Sequence, residues 1–366
     1  MIRHSYTQCQ SCHVDPSGSG VLTPYGRATG DVFLPIQWGE PRSGDDPSAQ
    51  FLWGAAPLPN EIALGGDIRV MRLSQKVGEA PLQNKIIYMQ LDAEAGLITE
   101  HFVASASIGF APEGALGAAL TRGTDDNLTS RQHWLGYAPI PGSLMIRGGR
   151  MNLPFGIRSI EHTLWTRAFT RTSINDDQQY GLSLAFETPI LRGELMAIAG
   201  NLQLRPGEYR EQGYAGYVEW PASDRFVLGA SSLLTHRDLD PRRLRKTFHQ
   251  AHGLMARWQT PFEPLVVLTE WDYALESPEG QPWRNGFVGY AQADLEPLRG
   301  IHFLVTFEAN NIGTRAARYS SYGTWLSYAW FFAPHADLRL DGIYQSIGGP
   351  ERIGAWVFLS QAHVYL

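Results

Sequence analysis

The run Lys85-Ile86-Ile87-Tyr88-Met89-Gln90-Leu91-Asp92-Ala93-Glu94-Ala95-Gly96 alternates in polarity along most of its length. Ile87, Met89, Leu91, Ala93 and Ala95 fall on one side and Tyr88, Gln90, Asp92 and Glu94 on the other, which a period of two produces and a helical period does not. A strand with one apolar and one wet face is expected. The pattern recurs to the end of the chain. Phe102, Ala104, Ala106 and Ile108 oppose His101, Ser105 and Ser107; Leu191, Leu195 and Ala197 oppose Arg192 and Glu194; Phe287, Ala291 and Ala293 oppose Tyr290, Gln292 and Asp294. Phe303, Val305 and Phe307 oppose His302, Thr306 and Glu308, and Leu338 and Leu340 oppose Asp337, Arg339 and Asp341.

Such segments number about sixteen, near 62–74, 84–96, 99–110, 131–139, 143–151, 178–187, 190–200, 212–220, 224–235, 247–259, 264–274, 284–296, 299–309, 319–332, 335–345 and 354–366. Short turns (96–99, 140–142, 188–189, 221–223, 260–263, 297–298, 333–334) alternate with longer links (75–82, 111–130, 152–177, 202–211, 236–246, 276–283, 310–318, 348–352). That asymmetry is the pattern of an all-β, transmembrane antiparallel barrel in an outer membrane, with its short turns and both termini toward the periplasm.

Composition agrees. Charged residues are 18%, aromatic residues 11% and glycines number 38, so rings and turn formers outweigh the long charged side chains of helical proteins. No apolar stretch of about twenty residues is present, which excludes a membrane helix and leaves a barrel open, since alternating strands average to a mild hydropathy such as the observed −0.22. A net charge of −6 without a Lys/Arg run excludes nucleic acid as a partner. Trp220, Trp258, Trp271, Trp330 and Trp356, with Tyr214, Tyr328 and Tyr344, read as interfacial girdles. A soluble β-sandwich would have to bury Asp92, Glu94, Glu270, Asp272, Asp294 and Glu308 in a dry core; a water-filled lumen would hold them at little cost.

The only two cysteines lie in Cys9-Gln10-Ser11-Cys12-His13. Two thiols two residues apart, followed at once by an imidazole, form the attachment signature of a c-type haem: each thiol can add to a vinyl group and the histidine can reach the iron. A structural zinc site lacks its second cysteine pair, and a thioredoxin-like motif lacks its strand. Residues 14–60 read as loop chemistry with one short helix near 27–32. They are too poor in apolar periodicity to wall a haem alone. The chain therefore divides into residues 1–60, a haem c attachment segment and periplasmic tether or plug, and residues 61–366, the outer-membrane barrel. No secretory leader is visible, so the sequence reads as a mature form. For the distal iron ligand His4, five residues before Cys9, is preferred to His101, His302 and His363. Met71 lies roughly 30 Å up the first strand at about 3.3 Å per residue, too far for a haem at the rim.

The segment Met145 to Arg150 running into Met151-Asn152-Leu153-Pro154-Phe155-Gly156-Ile157-Arg158 resembles sixteen-strand bacterial outer-membrane porins, including the phosphate-selective group; the likeness spans about residues 62–366. The chain departs from that family in ending Tyr365-Leu366 rather than in Phe. The first 30 residues, with CxxCH, Pro16-Ser17-Gly18-Ser19-Gly20 and Tyr25-Gly26-Arg27, resemble the N-terminal haem segment of uncharacterised bacterial barrel proteins. That resemblance implies one covalent haem c on Cys9 and Cys12, with His13 as proximal ligand, and an electron-transfer role at or across the outer membrane. One haem cannot span a hydrocarbon layer of about 25–30 Å, so a periplasmic or surface cytochrome is the expected partner beside membrane lipid. The alternative is an anion-preferring diffusion porin whose haem is structural, sensory or a plug. For that reading the third long loop should fold inward, carrying Arg158, Arg167 and Arg171 after Arg150, with Glu161, Asp176 and Asp177 beside them. Nothing pairs an acid-base residue with a haem face, so no enzyme is expected.

Overall fold

The computed structural model describes residues 2–4, 9–18, 20–38, 43, 46–112, 126–158, 161, 163–174, 177–200, 210–240, 243–312 and 319–366. Its strand segments, in chain order, are β1 (Ile62–Val77), β2 (Gln83–Ile98), β3 (Phe102–Pro112), β4 (Asp126–Thr129), β5 (His133–Ile140), β6 (Leu144–Met151), β7 (Gln179–Glu187), β8 (Arg192–Gly200) and β9 (Glu211–Ser223). β10 (Phe226–Arg237), β11 (Thr247–Gln259), β12 (Leu265–Pro278), β13 (Arg284–Leu298), β14 (Ile301–Ile312), β15 (Ser321–Ala333), β16 (Ala336–Ile347) and β17 (Ile353–Tyr365) complete the set. Each pairs antiparallel with its neighbours, and β1 pairs with β17, so the sheet closes. β4 and β5 both pair with β3 and form one interrupted strand, which makes a sixteen-strand barrel. Closure leaves no edge to satisfy in lipid.

The interruption is the first departure from the alternating pattern. At Ser130 to Gln132 the chain leaves the ladder, and the Ser107 hydroxyl accepts from the amides of Arg131 and Gln132, both at 3.0 Å. Arg131 turns onto Asp92. The second departure lies in the opening stretch itself. Pairing shifts where Val70 faces Tyr88 after Arg69 has faced Gln90, so Met89 is bulged. Leu91, Ala93 and Ala95 face outward as the period requires, but Ile86 and Tyr88 do so above the bulge. Ile87 and Met89 turn inward against Met71, Leu164 and Trp325. One extra residue inverts the facing of everything beyond it.

Outward positions form an apolar belt. Leu135, Leu254, Leu326 and Phe287 are 72%, 70%, 64% and 63% exposed, which water would not tolerate over so wide a surface and lipid would. Trp220, Trp258 and Trp330 girdle the short-turn end, and Tyr214, Tyr344 and Trp356 the long-loop end. Trp271 departs from expectation, lying midway along β12. No helix among the described residues is long and apolar enough to cross a membrane. The links expected at 111–130, 202–211 and 310–318 lie largely outside the described residues, as does Asp176.

The lumen is not the water-filled space expected. Glu270, Asp272 and Glu308 are fully buried, as are Arg147, Arg150 and Arg167. Two pieces of the chain fill it: the segment before β1 from the short-turn end, and the link between β6 and β7 from the other.

Candidate functional site

At the short-turn end Cys9 to His13 forms a single turn. The Cys9 carbonyl accepts from the amides of Cys12 (3.2 Å) and His13 (3.0 Å), and His13 bridges to Leu22. The motif's own backbone therefore puts both free thiols and the imidazole on one knot of chain. Burial pushes the Cys12 thiol up and the His13 imidazole down from their usual ranges, so both are uncharged at neutral pH. Behind the turn lies α1 (Pro24–Phe33), which starts where the Thr23 hydroxyl caps the Gly26 amide at 2.9 Å and Pro24 supplies a preset φ. Gly26 is required there, because a Cβ would meet the Cys12 carbonyl oxygen at 2.0 Å.

This segment is docked to the barrel by specific polar contacts. Asp15 accepts from the Ser17 amide at 2.7 Å and from Arg147 of β6 at 2.8 Å, while Arg147 also reaches Glu194 and stacks over Trp134. Arg158 donates to the Ser17 carbonyl at 2.5 Å and lies over the Tyr217 ring. Farther round the mouth, the Ile36 amide donates to Phe331, Arg27 to the Leu64 carbonyl, and His335 pairs with the Ser48 carbonyl at 2.8 Å. Arg3 holds Asp294 and Glu296.

Between the motif and the turns after β2, β5 and β7 is a cavity of about 650 Å3. His13 and Val14 line one side, and Ile98, Val103, Ala138 and Met145 of the barrel wall the other. Ser11, Thr99, Ser143 and Thr188 supply a polar rim. Small-molecule sites of about 300–1,000 Å3 are usual, so the cavity has the size of one. The His13 Nδ1 lies 3.4 Å from the Gly20 carbonyl, a partner that leaves Nε2 as the ligating nitrogen. His13 lines the cavity, but neither cysteine does: the Cys9 sulfur lies against Gly18, on the side of Arg158 and Tyr217.

The other candidate histidines, His4, His101, His302 and His363, are engaged elsewhere. His4 stacks on Phe33 at 4.2 Å, with Glu296 and Arg299 nearby, and is not among the residues lining the cavity. His101 pairs with the Ala138 carbonyl at 2.9 Å, His302 with Asp294 at 2.9 Å, and His363 sits between Asp67 and Asp337, 2.8 Å from each. Met71 is buried against the lumen filling. Sequence reasoning missed Met145, which alternation alone could have placed inside near a short turn.

The second filling is the loop after β6, which folds inward. Leu153 and Phe155 are buried, and Gly156, at φ 60°, lies so near Glu270 that a Cβ would meet its oxygen at 2.0 Å. The Ile157 amide and Arg167 both reach Glu270 at 2.6 Å. α2 (Trp165–Thr170) is held where the Trp165 amide donates to Glu308 at 3.0 Å. Arg171 bridges to Asp240 and Glu276, and Glu161 meets Arg339. Arg167 and Arg171 are thus matched by acids outside their own loop, Glu270 and Glu276 of β12 and Asp240 of the link after β10.

No protein-family model matches the chain, and no curated protein matches it. Solved structures share its fold. An anion-selective porin from Comamonas acidovorans superposes with a TM-score of 0.61 over 83% of this chain and 99% of its own, at 9% identity. The trimer form of OmpT, an outer-membrane protein of Vibrio cholerae, gives 0.59 over 83% and 99%, at 11% identity. Pseudomonas putida OprB gives 0.59 over 84% and 94%, at 10% identity. The fold is therefore that of outer-membrane porins.

Proposed function

We propose that the chain is a porin-type barrel of the bacterial outer membrane that carries one covalent haem c at its periplasmic mouth and exchanges electrons there with a periplasmic or surface cytochrome. The observation that carries this reading is the Cys9-to-His13 turn, which holds two free thiols and an imidazole on one knot of chain. Short turns lie toward the periplasm in such barrels, which supports that side for the segment. When bound, the haem supplies one-electron exchange. Cys9 and Cys12 would fix it covalently, and His13 would ligate it with its other nitrogen turned to Gly20. Asp15 and Arg147 tie the carrying segment to the wall. Glu100 and Glu187 at the rim favour a partner that presents lysines.

A second reading, an anion-preferring diffusion porin, has the fold likeness on its side, since one neighbour is an anion-selective porin. Its specific support is the run of arginines along the lumen, Arg147, Arg150, Arg158, Arg167 and Arg171. Two fillings meeting at Arg158 and Ser17 weigh against a permanently open path. Planar-bilayer recording separates the two. The full chain is expected to be silent or to open only in brief events. A steady anion-preferring conductance would establish the porin reading instead.

A further inference from the structure

Arg72 is a cation on the outside of the barrel. Arg69 and Met71 of β1 are buried and face the lumen, so the strand period turns Arg72 outward, where it is exposed. It pairs across with Ser360, and Lys76, farther up the same face, pairs with the girdle residue Trp356. Arg72 therefore lies roughly 13 Å below that girdle along the strand, at about 3.3 Å per residue, inside an apolar belt about 25 Å tall. A cation facing lipid at such a depth is unfavourable unless an anion meets it. Among the described residues, neither Arg72 nor Ser360 has a hydrogen-bond or ion-pair partner, while the Ser74 hydroxyl donates to Asn84 at 2.6 Å.

The outer surface beside Arg72 is concave. One cross-strand row runs from Phe303 through Tyr328, Leu340 and Ser360 to Arg72, and the row above it from Val305 through Leu326, Gly342 and Phe358 to Ser74. The small residues Gly342 and Ser360 leave a groove of about 820 Å3 between Leu326, Leu340 and Phe358, each more than half exposed. A Cβ at Gly342 would meet nothing nearer than 3.9 Å. Because barrel strands are tilted, the rows climb from the short-turn girdle, where Tyr328 lies two residues from Trp330, to Arg72. The groove is thus apolar at its lower end and cationic at its upper end, which is the polarity of an amphiphile with an anionic head. A second copy of the chain complements it less well, since among the described residues no carboxylate lies on the outer face of the strands to meet Arg72.

We propose that this groove seats a phosphorylated glycolipid of the outer leaflet, with an acyl chain along Leu340, Gly342 and Leu326 and phosphate at Arg72 and Lys76. The short turns, toward the periplasm in such barrels, put the Lys76 end in the outer leaflet. A guanidinium offers phosphate paired N–H donors, and the ammonium above it adds a point charge. The inference is independent of the haem reading.

The test uses the full-length barrel, folded in a neutral detergent, with three probes: lipid A carrying both phosphates, dephosphorylated lipid A, and phosphatidylglycerol. Retained lipid is counted by native mass spectrometry on chains whose heat-modifiable mobility shows a folded barrel. The phosphorylated lipid A is expected to be retained several-fold more than either of the others. Arg72→Gln should lose that excess and Arg72→Lys should keep part of it. Gly342→Leu, which fills the groove without changing charge, should also lose it, and Leu254→Ala, on the outer face of β11, should not. Equal retention by the native chain and Arg72→Gln, or equal retention of all three lipids by the native chain, overturns the proposal. A stable oligomer that Arg72→Gln dissociates assigns the groove to a second copy and overturns it as well.

Discussion

Asp15 is held between the Ser17 amide and the guanidinium of Arg147, which is fully buried. Removing one partner of a buried pair costs about 3–5 kcal/mol, because the other charge stays in place without its match. Glu194 also contacts Arg147 and would retain part of that match. Asp15→Ala is accordingly expected to loosen the docked segment, measured as faster proteolysis within residues 9–58 while the barrel itself resists. Unchanged cleavage would show that the pair does not hold the plug. Gly26→Ala should act on the same segment from behind, since its Cβ would occupy the place of the Cys12 carbonyl. Haem content per folded barrel should fall several-fold. The motif residues were legible because their chemistry is local: two cysteines, two residues apart, then a histidine. Contacts of Asp15 and Gly26 were not, because each depends on an atom that only the fold brings near. His4 shows the same limit from the other side, since closeness in sequence to Cys9 does not keep its ring from stacking on Phe33.

Among elements, β15 and β2 show what alternation reads and what it misses. Leu326 lies midway along β15, 64% exposed on the outer face. Leu326→Arg should destabilise the barrel by about 2–4 kcal/mol, the cost of a cation near the bilayer midplane, as read from equilibrium unfolding in lipid vesicles. The inward neighbour Ser327 should accept a polar substitution at far less cost; equal penalties at both positions would refute the assigned facing. Period two fixed β11 to the residue, since 247–259 is both expected and observed. It could not foresee the bulge at Met89, because a single extra residue leaves local polarity plausible on either face. Nor could it foresee the break at Ser130 to Gln132, which is stabilised from another strand by Ser107. The inward course of the loop after β6 was legible through its likeness to porin loops; its anchoring by Glu270 and Glu308 was not.

At the scale of the whole molecule, a closed sixteen-strand barrel is filled from both ends. Protease added to intact cells is expected to cut in the link at 238–246 between β10 and β11, while an N-terminal tag stays shielded. External labelling of that tag would invert the topology. The expected polar lumen gave way to paired, buried charge because acids placed for water are met by arginines, Arg167 of the inward loop on Glu270 and Arg131 of the break between β4 and β5 on Asp92. On the haem reading, a barrel filled in this way serves as a scaffold that would hold the redox group at a membrane face. The most direct measurement is the mass of the chain purified from outer membranes and then fully denatured. The mass expected is that of the polypeptide plus one haem, with Cys9→Ala,Cys12→Ala reduced to the bare polypeptide; a native chain at the bare polypeptide mass would contradict covalent haem.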